Sequence, residues 1–589
     1  MRPPVTTSRQ ADSSPIDWRE DGLPASRLYG DVYFSSDDGL AESRAVYLAG
    51  CGLPEAWAGR HAFTVGELGF GTGLNIAALL TLWRATRPPG AVLNIFTIEA
   101  HPLTREDAAR ALSRWPEIAT AAEAMLAAWP GRAPGFHRLQ PAGFDAVIDL
   151  AVLPVEEALA AWTGRADAWF LDGFSPALNP AMWSEAVMAA VAGRSAPGAR
   201  AATFTVAGGV RRGLTAAGFQ VDKRPGFGRK RERLEAVLPG VAIDPPRPSL
   251  AVIGAGIAGA SLMRAIRSLG GQARQLDVVG RGAGASGNPA ALVTPALDAS
   301  GGGRARLFAQ AFERAVSLYE TTDAIIARGA TQLEAEPRDA VRFDKVVASG
   351  PFDPGAVVRL SADEASGALG EPTVGGLRFE KGLVISPGRA LAAWADEPEV
   401  AAVASLERGE QGWRLLSADG DVLAEVEAVV LATGADLRDL WTSAPIRLVR
   451  GQASWAEGLT TAPAAFGGYA IPTGDGVLFG ATFDRDDLAT DVREIDHERN
   501  LLLVAEGLPT LASRLAILPL DGRARLRATT PDHRPLAGAL GDGLFVLGGL
   551  GARGFCTAPL LAEHVAALAL GRASPLPVDL AAAVDPQRL

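Results

Sequence analysis

A glycine-rich turn near the start of the chain is flanked by carboxylates. The β-prone segment Phe63–Leu68 is followed by GFGTG, residues 69–73, and then by a segment with helical character. Glycines between a strand and a helix let the backbone approach a ligand at the edge where parallel sheets bind nucleotides. The next β-prone segment ends at Glu99, and a carboxylate there can bind both hydroxyls of a ribose. The predicted contacts to this nucleoside cofactor are Glu67, Gly69, Gly71, Gly73, Asn75 and Glu99.

A third carboxylate, Asp172, ends another buried strand within DAWFLDGFSP. Taken alone, it could equally be the N-cap of the next helix, a common role of Asp. The sequence then predicts one helix over NPAMWSEAVMAAVAG, residues 179–193, followed by a strand, a helix and two strands joined by GFGRK. Alternating strands and helices with a final antiparallel pair are typical of a class I S-adenosylmethionine methyltransferase. Residues 1–238 are therefore predicted to form such an α/β domain.

A second nucleotide-binding pattern begins at Leu250. The apolar strand LAVI precedes GAGIAG, residues 254–259, and Asp277 follows eighteen residues after the last glycine. In this setting the glycines admit a pyrophosphate to the N-terminus of a helix, and the acid binds a ribose. The pattern by itself fits NAD and FAD alike. The predicted contacts are Gly254, Gly256, Gly259 and Asp277.

Three later segments rich in small residues favour FAD. GAGASGNPAA, AVVLATGA and FVLGGLGARGF resemble the flavin-lining loop, the second strand-turn and the final glycine turn of glycine-oxidase-like enzymes. The resemblance implies an FAD-binding domain that is discontinuous in sequence, with an α+β substrate domain inserted, over residues 249–589. It adds as FAD contacts Ser286, Asn288, Thr433, Gly434, Gly549, Gly551 and Gly554.

Composition and charge exclude several classes of protein. The 589 residues carry a formal net charge of −11, which excludes a uniformly basic nucleic-acid coat but allows a local basic patch. The two cysteines cannot make a disulfide framework or a four-thiolate zinc site, and the six histidines suggest no metal site. With no secretory signal and no apolar segment of bilayer length, we expect a cytoplasmic protein with no membrane contact and no obligate protein partner. The proline-rich residues 239–248 are predicted to be a linker.

Several segments together resemble one family. In the first domain they are GELGFGTGLN, FLDGFSPALNPAMW, ATFTVAGGVRRGL and GFGRKRE, and the second domain adds IRLVRGQASW and RLRATTPDHRPLAG. They are similar to the bifunctional tRNA 5-methylaminomethyl-2-thiouridine biosynthesis family. This resemblance implies FAD-dependent removal of a carboxymethyl group from the wobble uridine, followed by S-adenosylmethionine-dependent N-methylation of the amine. Two departures are Leu178, where the family usually has a lysine, and residues 289–297, where it usually has Gln-Gly and Tyr-Pro pairs.

The implied reactions assign roles to individual side chains. Asp172 is expected to hold the acceptor amine and to help remove its proton, while Phe174 and Pro176 shape the slot beside it. A substrate carboxylate calls for a guanidinium, which can bind both oxygens, and Arg527 lies where related amine oxidases carry such an arginine. A surface salt bridge is the alternative role for Arg527, and Arg553 in the final glycine turn is the other candidate.

A tRNA substrate requires a basic surface on this acidic chain. The segment KRPGFGRKRER, residues 223–233, has six basic residues, one acid and one phenylalanine, which suits phosphate contacts and base stacking. A solvated hairpin is the competing interpretation. The predicted RNA contacts are Arg211, Arg212, Lys223, Arg229, Lys230 and Arg231.

Two other functions remain compatible with these motifs. A flavin amine oxidase fused to a small-molecule N-methyltransferase would share every cofactor motif and differ only in its substrate. A non-catalytic RNA-binding or scaffold protein would retain both folds, although the intact Glu67, Asp172 and residues 254–259 argue against it.

Overall fold

The computed structural model describes residues 14–228 and 230–589. The chain divides into two compact units. Among the described residues, the first consists of those up to Pro246, Ser268–Gly270 and Gly571–Val578, and the second of Arg247–Arg267, Gly271–Leu570 and Asp579–Leu589. Residues 239–249 contain neither helix nor strand.

The first unit alternates strands and helices along the chain. Its strands are β1 Ile16–Trp18, β2 Pro24–Ser26, β3 Ala62–Leu68, β4 Val92–Ile98, β5 Gly135–Leu139, β6 Ala146–Val152, β7 Ala166–Leu171, β8 Ser195–Thr203, β9 Gln220–Pro225 and β10 Glu232–Val237. Its α-helices are α1 Gly39–Ser43, α2 Leu74–Thr86, α3 Arg105–Leu112, α4 Ala119–Ala127, α5 Val155–Ala161, α6 Glu185–Gly193 and α7 Gly208–Ala216. A π-helical segment, Arg44–Leu48, extends α1, and 3-10 turns cover Glu55–Trp57, Pro116–Ile118 and Pro180–Trp183.

Eight of these strands form one twisted sheet in the order β5-β6-β4-β3-β7-β8-β10-β9. The central pairs β6/β4, β4/β3, β3/β7 and β7/β8 are parallel. Strand β10 runs antiparallel to both β8 and β9, and β5 runs antiparallel to β6. This arrangement confirms the predicted class I methyltransferase layout with its final antiparallel pair.

Apolar residues alternate between the two faces of this sheet, as the two-residue period of a strand requires. Val65 and Ile95 pack into the core on one face, whereas Phe96 and Trp169 pack into the core on the other. Because helices cover both faces, the central strands are buried along nearly their whole length. Because β3 runs parallel to both β4 and β7, the carboxyl ends of these three strands lie at the same edge of the sheet.

One element differs from the sequence prediction. The single helix expected over residues 179–193 is divided into the 3-10 turn Pro180–Trp183 and helix α6. The break falls at Ser184, whose backbone is extended and whose side chain accepts a hydrogen bond from Val187 N at 3.2 Å. The helix prediction was therefore wrong at this point, because an N-cap serine competes with helix continuation.

The second unit contains more strands than the first. They are β11 Leu250–Ile253, β12 Ala273–Asp277, β13 Ala291–Val293, β14 Ile325–Leu333, β15 Val357–Leu360, β16 Gly376–Ile385, β17 Glu399–Val400, β18 Ser405–Gly409, β19 Gly412–Leu416, β20 Val422–Val426, β21 Ala428–Leu431, β22 Arg447–Glu457, β23 Ala464–Ala465, β24 Tyr469–Pro472, β25 Gly476–Gly480, β26 Asp484–Arg485, β27 Asp521–Thr529, β28 Leu536–Gly541 and β29 Leu544–Gly548. The later helices of the chain are α8 Ile257–Ser268, α9 Gly303–Tyr319, α10 Asp339–Ser349, α11 Ala362–Leu369, α12 Pro387–Trp394, α13 Leu437–Leu440, α14 Glu494–Gly507, α15 Pro509–Leu515, α16 Gly554–Ala569 and α17 Val578–Val584. The 3-10 turns there are Gly434–Asp436, Gly551–Arg553 and Pro586–Arg588.

Two large sheets organise the second unit. A six-stranded sheet has the order β17-β12-β11-β21-β29-β28, so that strands from widely separated parts of the chain lie side by side. A ten-stranded sheet takes β13 to β16 and β22 to β27 from the intervening chain and is mostly antiparallel. This confirms the predicted fold of a discontinuous nucleotide-binding domain with an inserted α+β domain.

Candidate active sites

The first glycine turn connects β3 to α2. Gly69, Gly71 and Gly73 have φ angles of +84°, +51° and +79°, which side chains with a Cβ rarely adopt. At Gly73, an added Cβ would also lie 2.8 Å from Met125 Cε. The turn therefore requires glycine both for its backbone conformation and for its packing.

Glu99 lies directly after β4 and is held by backbone amides. Its Oε2 accepts a hydrogen bond from Gly71 N at 3.0 Å, and its Oε1 accepts one from His101 N at 3.0 Å. The two amides fix the carboxylate beside the glycine turn. This is the position expected of an acid that binds a ribose.

Glu67 is a fully buried carboxyl group in β3. Its Oε2 accepts a hydrogen bond from Thr97 Oγ1 at 2.6 Å, while its Oε1 has no hydrogen-bond partner among the described residues. Burial raises the pKa of Glu67 to about 8, so the group is mostly protonated at neutral pH. Glu67 is fully buried behind the turn, so it supports the turn from within the core.

Asp172 follows β7 and faces the glycine turn. Its Oδ2 accepts a hydrogen bond from Asn75 Nδ2 at 2.7 Å, and its Oδ1 accepts one from Gly173 N at 2.8 Å. Burial raises the pKa of Asp172, against hydrogen bonds that include one from the Tyr47 hydroxyl. A carboxylate with a raised pKa is better matched to accept a proton from an amine than an exposed one.

A cavity of about 420 Å³, here called the first-unit cavity, opens between these groups. Its lining includes the predicted residues Gly69, Gly71, Asn75, Glu99, Asp172 and Phe174, but Glu67, Gly73 and Pro176 are not among the lining residues. The donor set and the volume of the cavity fit S-adenosylmethionine. Leu178, the family departure, is 49% exposed.

Sequence reasoning missed the residues that cover this cavity. Tyr29 and Tyr33 pack against Phe174, and their ring centroids lie 4.9 and 5.1 Å from the centroid of the Phe174 ring. Both tyrosines line the cavity. Asp31 Oδ2 accepts a hydrogen bond from Ser175 N at 3.0 Å and ties the same N-terminal segment to the loop after β7. The sequence around these residues gave no signal of where they lie in the fold.

The second glycine turn connects β11 to α8 and is closely packed. A Cβ added at Gly254 would overlap Ala432 O, and one added at Gly259 would overlap Gly254 O. At Gly256, an added Cβ would lie 3.1 Å from Ser286 Oγ, which accepts a hydrogen bond from Ile257 N at 3.0 Å. The turn therefore leaves no room for larger residues.

Asp277 ends β12 and is held in the same way as Glu99. Its Oδ2 accepts a hydrogen bond from Ala255 N at 2.7 Å, and its Oδ1 accepts hydrogen bonds from Val279 N and Gly280 N at 2.9 and 2.8 Å. The carboxylate is thereby fixed at the end of β12. This is where the acid of a dinucleotide site binds the ribose.

Two of the distant segments with predicted FAD contacts pack against this turn, namely those of Thr433 and Gly554. Thr433 and Gly434 follow β21, and Thr433 Oγ1 is buried without a hydrogen-bond partner among the described residues. Gly554 begins α16, and a Cβ there would lie 3.3 Å from Ile257 Cγ2. The other members of this set are Asn288 in a half-buried loop, and Gly549 and Gly551 with φ of +63° and +56°. The packed glycines and the orphaned hydroxyl fit a bound dinucleotide.

The two candidate carboxylate-binding arginines have different surroundings. Arg527 lies on β27, partly exposed, opposite Val449, and its guanidinium makes no hydrogen bond or salt bridge within the described chain. Burial raises the pKa of the Tyr469 phenol, and the positive charge of Arg527 opposes part of this increase. Arg553 instead donates hydrogen bonds to Thr294 O and Oγ1. Arg527 is thus the one of the two that is free to bind an anion.

Strands β9 and β10 of the basic segment form an antiparallel pair, and nearby acids partly neutralise its charge. Lys223 pairs with Glu232 at 2.7 Å, and Lys230 pairs with Glu42 at 2.8 Å. Arg211, Arg212 and Arg231 are exposed, whereas Arg229 lies outside the described residues. The exposed cations are the ones available to phosphates.

Two negative findings concern the described residues. Within residues 14–228 and 230–589, no group of three or more His, Cys, Asp or Glu side chains is arranged to hold a metal ion. No helix in the same ranges is both long and apolar enough to cross a bilayer.

Comparison with known proteins supports both predicted domains. Residues 116–239 match the model of an S-adenosyl-L-methionine-dependent methyltransferase family, and residues 249–568 match that of FAD dependent oxidoreductases. A tRNA 5-methylaminomethyl-2-thiouridine biosynthesis bifunctional protein MnmC from Caulobacter sp. (strain K31) is 62% identical over 98% of each chain. A protein of the same name from Caulobacter vibrioides is 60% identical over 96% of each chain. Another, from Maricaulis maris, is 43% identical over 95% of this chain and 93% of the relative. The chain therefore belongs to the family of bifunctional tRNA 5-methylaminomethyl-2-thiouridine biosynthesis proteins, with one S-adenosylmethionine-dependent and one FAD-dependent half.

Proposed function

We propose that this protein performs two successive reactions on the wobble uridine of tRNA in the cytoplasm. Residues 249–589 remove the carboxymethyl group from 5-carboxymethylaminomethyl-2-thiouridine, and residues 1–238, joined by the linker 239–248, methylate the amine that is exposed. The observation that carries the proposal is the presence of both cofactor sites on one chain that matches its relatives over nearly its full length.

In the methylating half, the protein positions an amine and takes its proton. S-Adenosylmethionine supplies the methyl group, and a protonated amine has no lone pair with which to accept it. Asp172, fixed by Asn75 and Gly173, holds the amine by hydrogen bonds and accepts the proton. Phe174 forms one wall of the slot, with Tyr29 and Tyr33 packed on it. Most of the acceleration comes from this positioning.

In the oxidising half, the protein orients a substituted glycine. Residues 254–259 and Asp277 would hold FAD, which would supply a hydride acceptor for the carbon between nitrogen and carboxylate. The substrate would become an imine, and its hydrolysis by water would release glyoxylate and leave the aminomethyl group. Arg527, which has no ion pair within the described residues, binds the substrate carboxylate with two parallel hydrogen bonds. Arg553 has Thr294 as its partner and supports the final glycine turn instead.

The tRNA docks on the exposed cations near the methylating half. Arg211, Arg212 and Arg231 are exposed and make no salt bridge in the described chain, so they are available to phosphates. Arg229 belongs to the same proposed surface by sequence. Lys223 must first exchange its partner Glu232 for a phosphate, which reduces its net contribution.

Nucleoside analysis of tRNA from a strain that lacks this gene tests the proposal. We expect 5-carboxymethylaminomethyl-2-thiouridine to accumulate and the methylaminomethyl nucleoside to disappear, and expression of the intact chain to restore it. A normal nucleoside profile in the deletion strain would contradict the proposal and favour a flavin amine oxidase fused to a small-molecule N-methyltransferase.

A further inference from the structure

Lys230 places an alkylammonium group at the first-unit cavity. Its Nζ lies 2.8 Å from Glu42 Oε1 and 4.0 Å from the centre of the Phe204 ring. A carboxylate and an aromatic face are the two partners that bind alkylammonium ions most favourably. All three side chains line the cavity that Asp172 also lines.

Glu42 is electrostatically close to the proposed amine-binding group. The Tyr47 hydroxyl hydrogen-bonds to Asp172, and the negative charge of Glu42 adds to the larger effect of burial in raising the pKa of both groups. The Glu42 side chain is only 13% exposed, so solvent screens its charge weakly. A second carboxylate thus lines the same cavity as Asp172.

The proposed tRNA substrate carries the same chemical group as lysine. The aminomethyl side chain of the modified uridine is a primary alkylammonium before it gives up its proton, and so is Lys230 Nζ. We propose that Glu42 and Phe204 form an alkylammonium subsite beside Asp172, filled by Lys230 in the free protein and by the aminomethyl group of the bound tRNA. This inference rests on the function proposed above and adds a residue pair that selects the aminated uridine.

Lys223 offers a matched comparison on the same hairpin. It forms the same kind of ion pair, with Glu232 at 2.7 Å, and both side chains are 44% exposed. Neither residue lines the first-unit cavity. Removing the charge of Lys223 therefore affects only its attraction to tRNA phosphates, whereas removing the charge of Lys230 vacates the subsite.

Equilibrium binding to two tRNAs separates these roles. One tRNA carries 5-aminomethyl-2-thiouridine at the wobble position and the other carries 2-thiouridine, so the ratio of their Kd values for the full-length protein reports the amine alone. Because a charge-assisted contact is lost, Glu42→Gln should reduce the preference for the amine about tenfold. Lys230→Gln should increase the preference, since the internal competitor is gone, and Lys223→Gln should weaken both tRNAs equally.

A second variant, Phe204→Leu, tests the subsite independently in case Glu42→Gln does not fold. Phe204→Leu removes the aromatic face and should reduce the preference by a few-fold, about the strength of a partly exposed cation–π contact. An unchanged preference in Glu42→Gln would overturn the subsite. So would a Lys230→Gln variant that binds both tRNAs equally more weakly, because Lys230 would then be an ordinary phosphate contact. A wild-type protein that fails to methylate the aminomethyl tRNA would instead refute the proposed function itself.

Discussion

The two cofactor turns are built alike but completed differently. In each, a backbone amide of the turn binds the acid at the end of the next strand, Gly71 N to Glu99 at 3.0 Å and Ala255 N to Asp277 at 2.7 Å. The first turn is covered by an N-terminal segment that precedes it in sequence and includes Tyr33. The second is completed by segments far after it, as the packing of Gly254 against Ala432 shows.

This difference has a functional consequence. A strand, a glycine turn and an acid make a nucleotide site, but the residues that choose the reaction come from elsewhere in each unit. Asp172 and Arg527 are the residues proposed for this role, and among the described residues they have no hydrogen-bond partner in common. The two activities should therefore be separable by single substitutions.

The largest expected effect is that of Asp172→Asn. The amide keeps the shape of the side chain but cannot accept the amine's proton, so methyl transfer should fall about 100-fold or more. Oxidation of the carboxymethylaminomethyl substrate should continue, so mass spectrometry of the tRNA nucleosides should show the aminomethyl form accumulating. Unchanged methyl transfer would reduce Asp172 to a structural cap.

Arg527→Leu should impair oxidation and leave methyl transfer intact. Loss of a charge-assisted contact to the substrate carboxylate should raise KM for oxidation by about ten- to a hundredfold, while methyl transfer to a preformed aminomethyl tRNA stays normal. Arg447→Leu is the matched control, because Arg447 is exposed and lies beside the same strand, opposite Thr529. Equal effects of the two substitutions would remove Arg527 from the site.

Gly259→Ala tests the close packing of the second turn. The added methyl group would overlap Gly254 O, and overpacking of this kind costs about 1–3 kcal/mol. We expect weaker flavin retention, measured by the absorbance of the purified protein, with methyl transfer preserved. Gly388→Ala is the control, since an added Cβ at Gly388 in α12 meets no atom within 4 Å.

The smallest expected effect concerns Glu67 and pH. Its carboxyl group ionises near its ordinary pKa of 4.5 when unfolded and at about 8 when folded. The folded state therefore binds the extra proton, and stability decreases as pH rises through this window, by about 1 kcal/mol between pH 7 and pH 8. Glu67→Gln should flatten this part of the curve in denaturant unfolding. A wild-type stability independent of pH in this range would contradict the burial of an uncharged Glu67.

The sequence predicted the local units well because their signals are local. A strand period, a glycine turn and an acid at the next strand end lie within about thirty residues, and they placed Glu99 and Asp277 correctly beside their turns. The final antiparallel pair of the first sheet was predicted for the same reason. The helix break at Ser184 was not predicted, because the apolar residues on both sides of it indicated one continuous helix.

The parts that depend on distant contacts could not be predicted. Nothing in the pattern around Tyr29 or Tyr33 indicates that they pack on Phe174, more than 140 residues later in the chain. The sequence showed six basic residues in this segment without their partners. In the fold, four of the five described ones are paired with acids: Lys223, Arg224, Lys230 and Arg233. Pairing of this kind is a tertiary property, and it decides which cations remain available for RNA.

The most direct test of the account is the product made by the intact protein on one tRNA. The full-length protein is incubated with tRNA that carries 5-carboxymethylaminomethyl-2-thiouridine, with and without S-adenosylmethionine, and the nucleosides are identified by mass spectrometry. We predict the aminomethyl nucleoside without the methyl donor and the methylaminomethyl nucleoside with it. An unaltered substrate under both conditions, or a methylated product that retains the carboxymethyl group, would contradict the account.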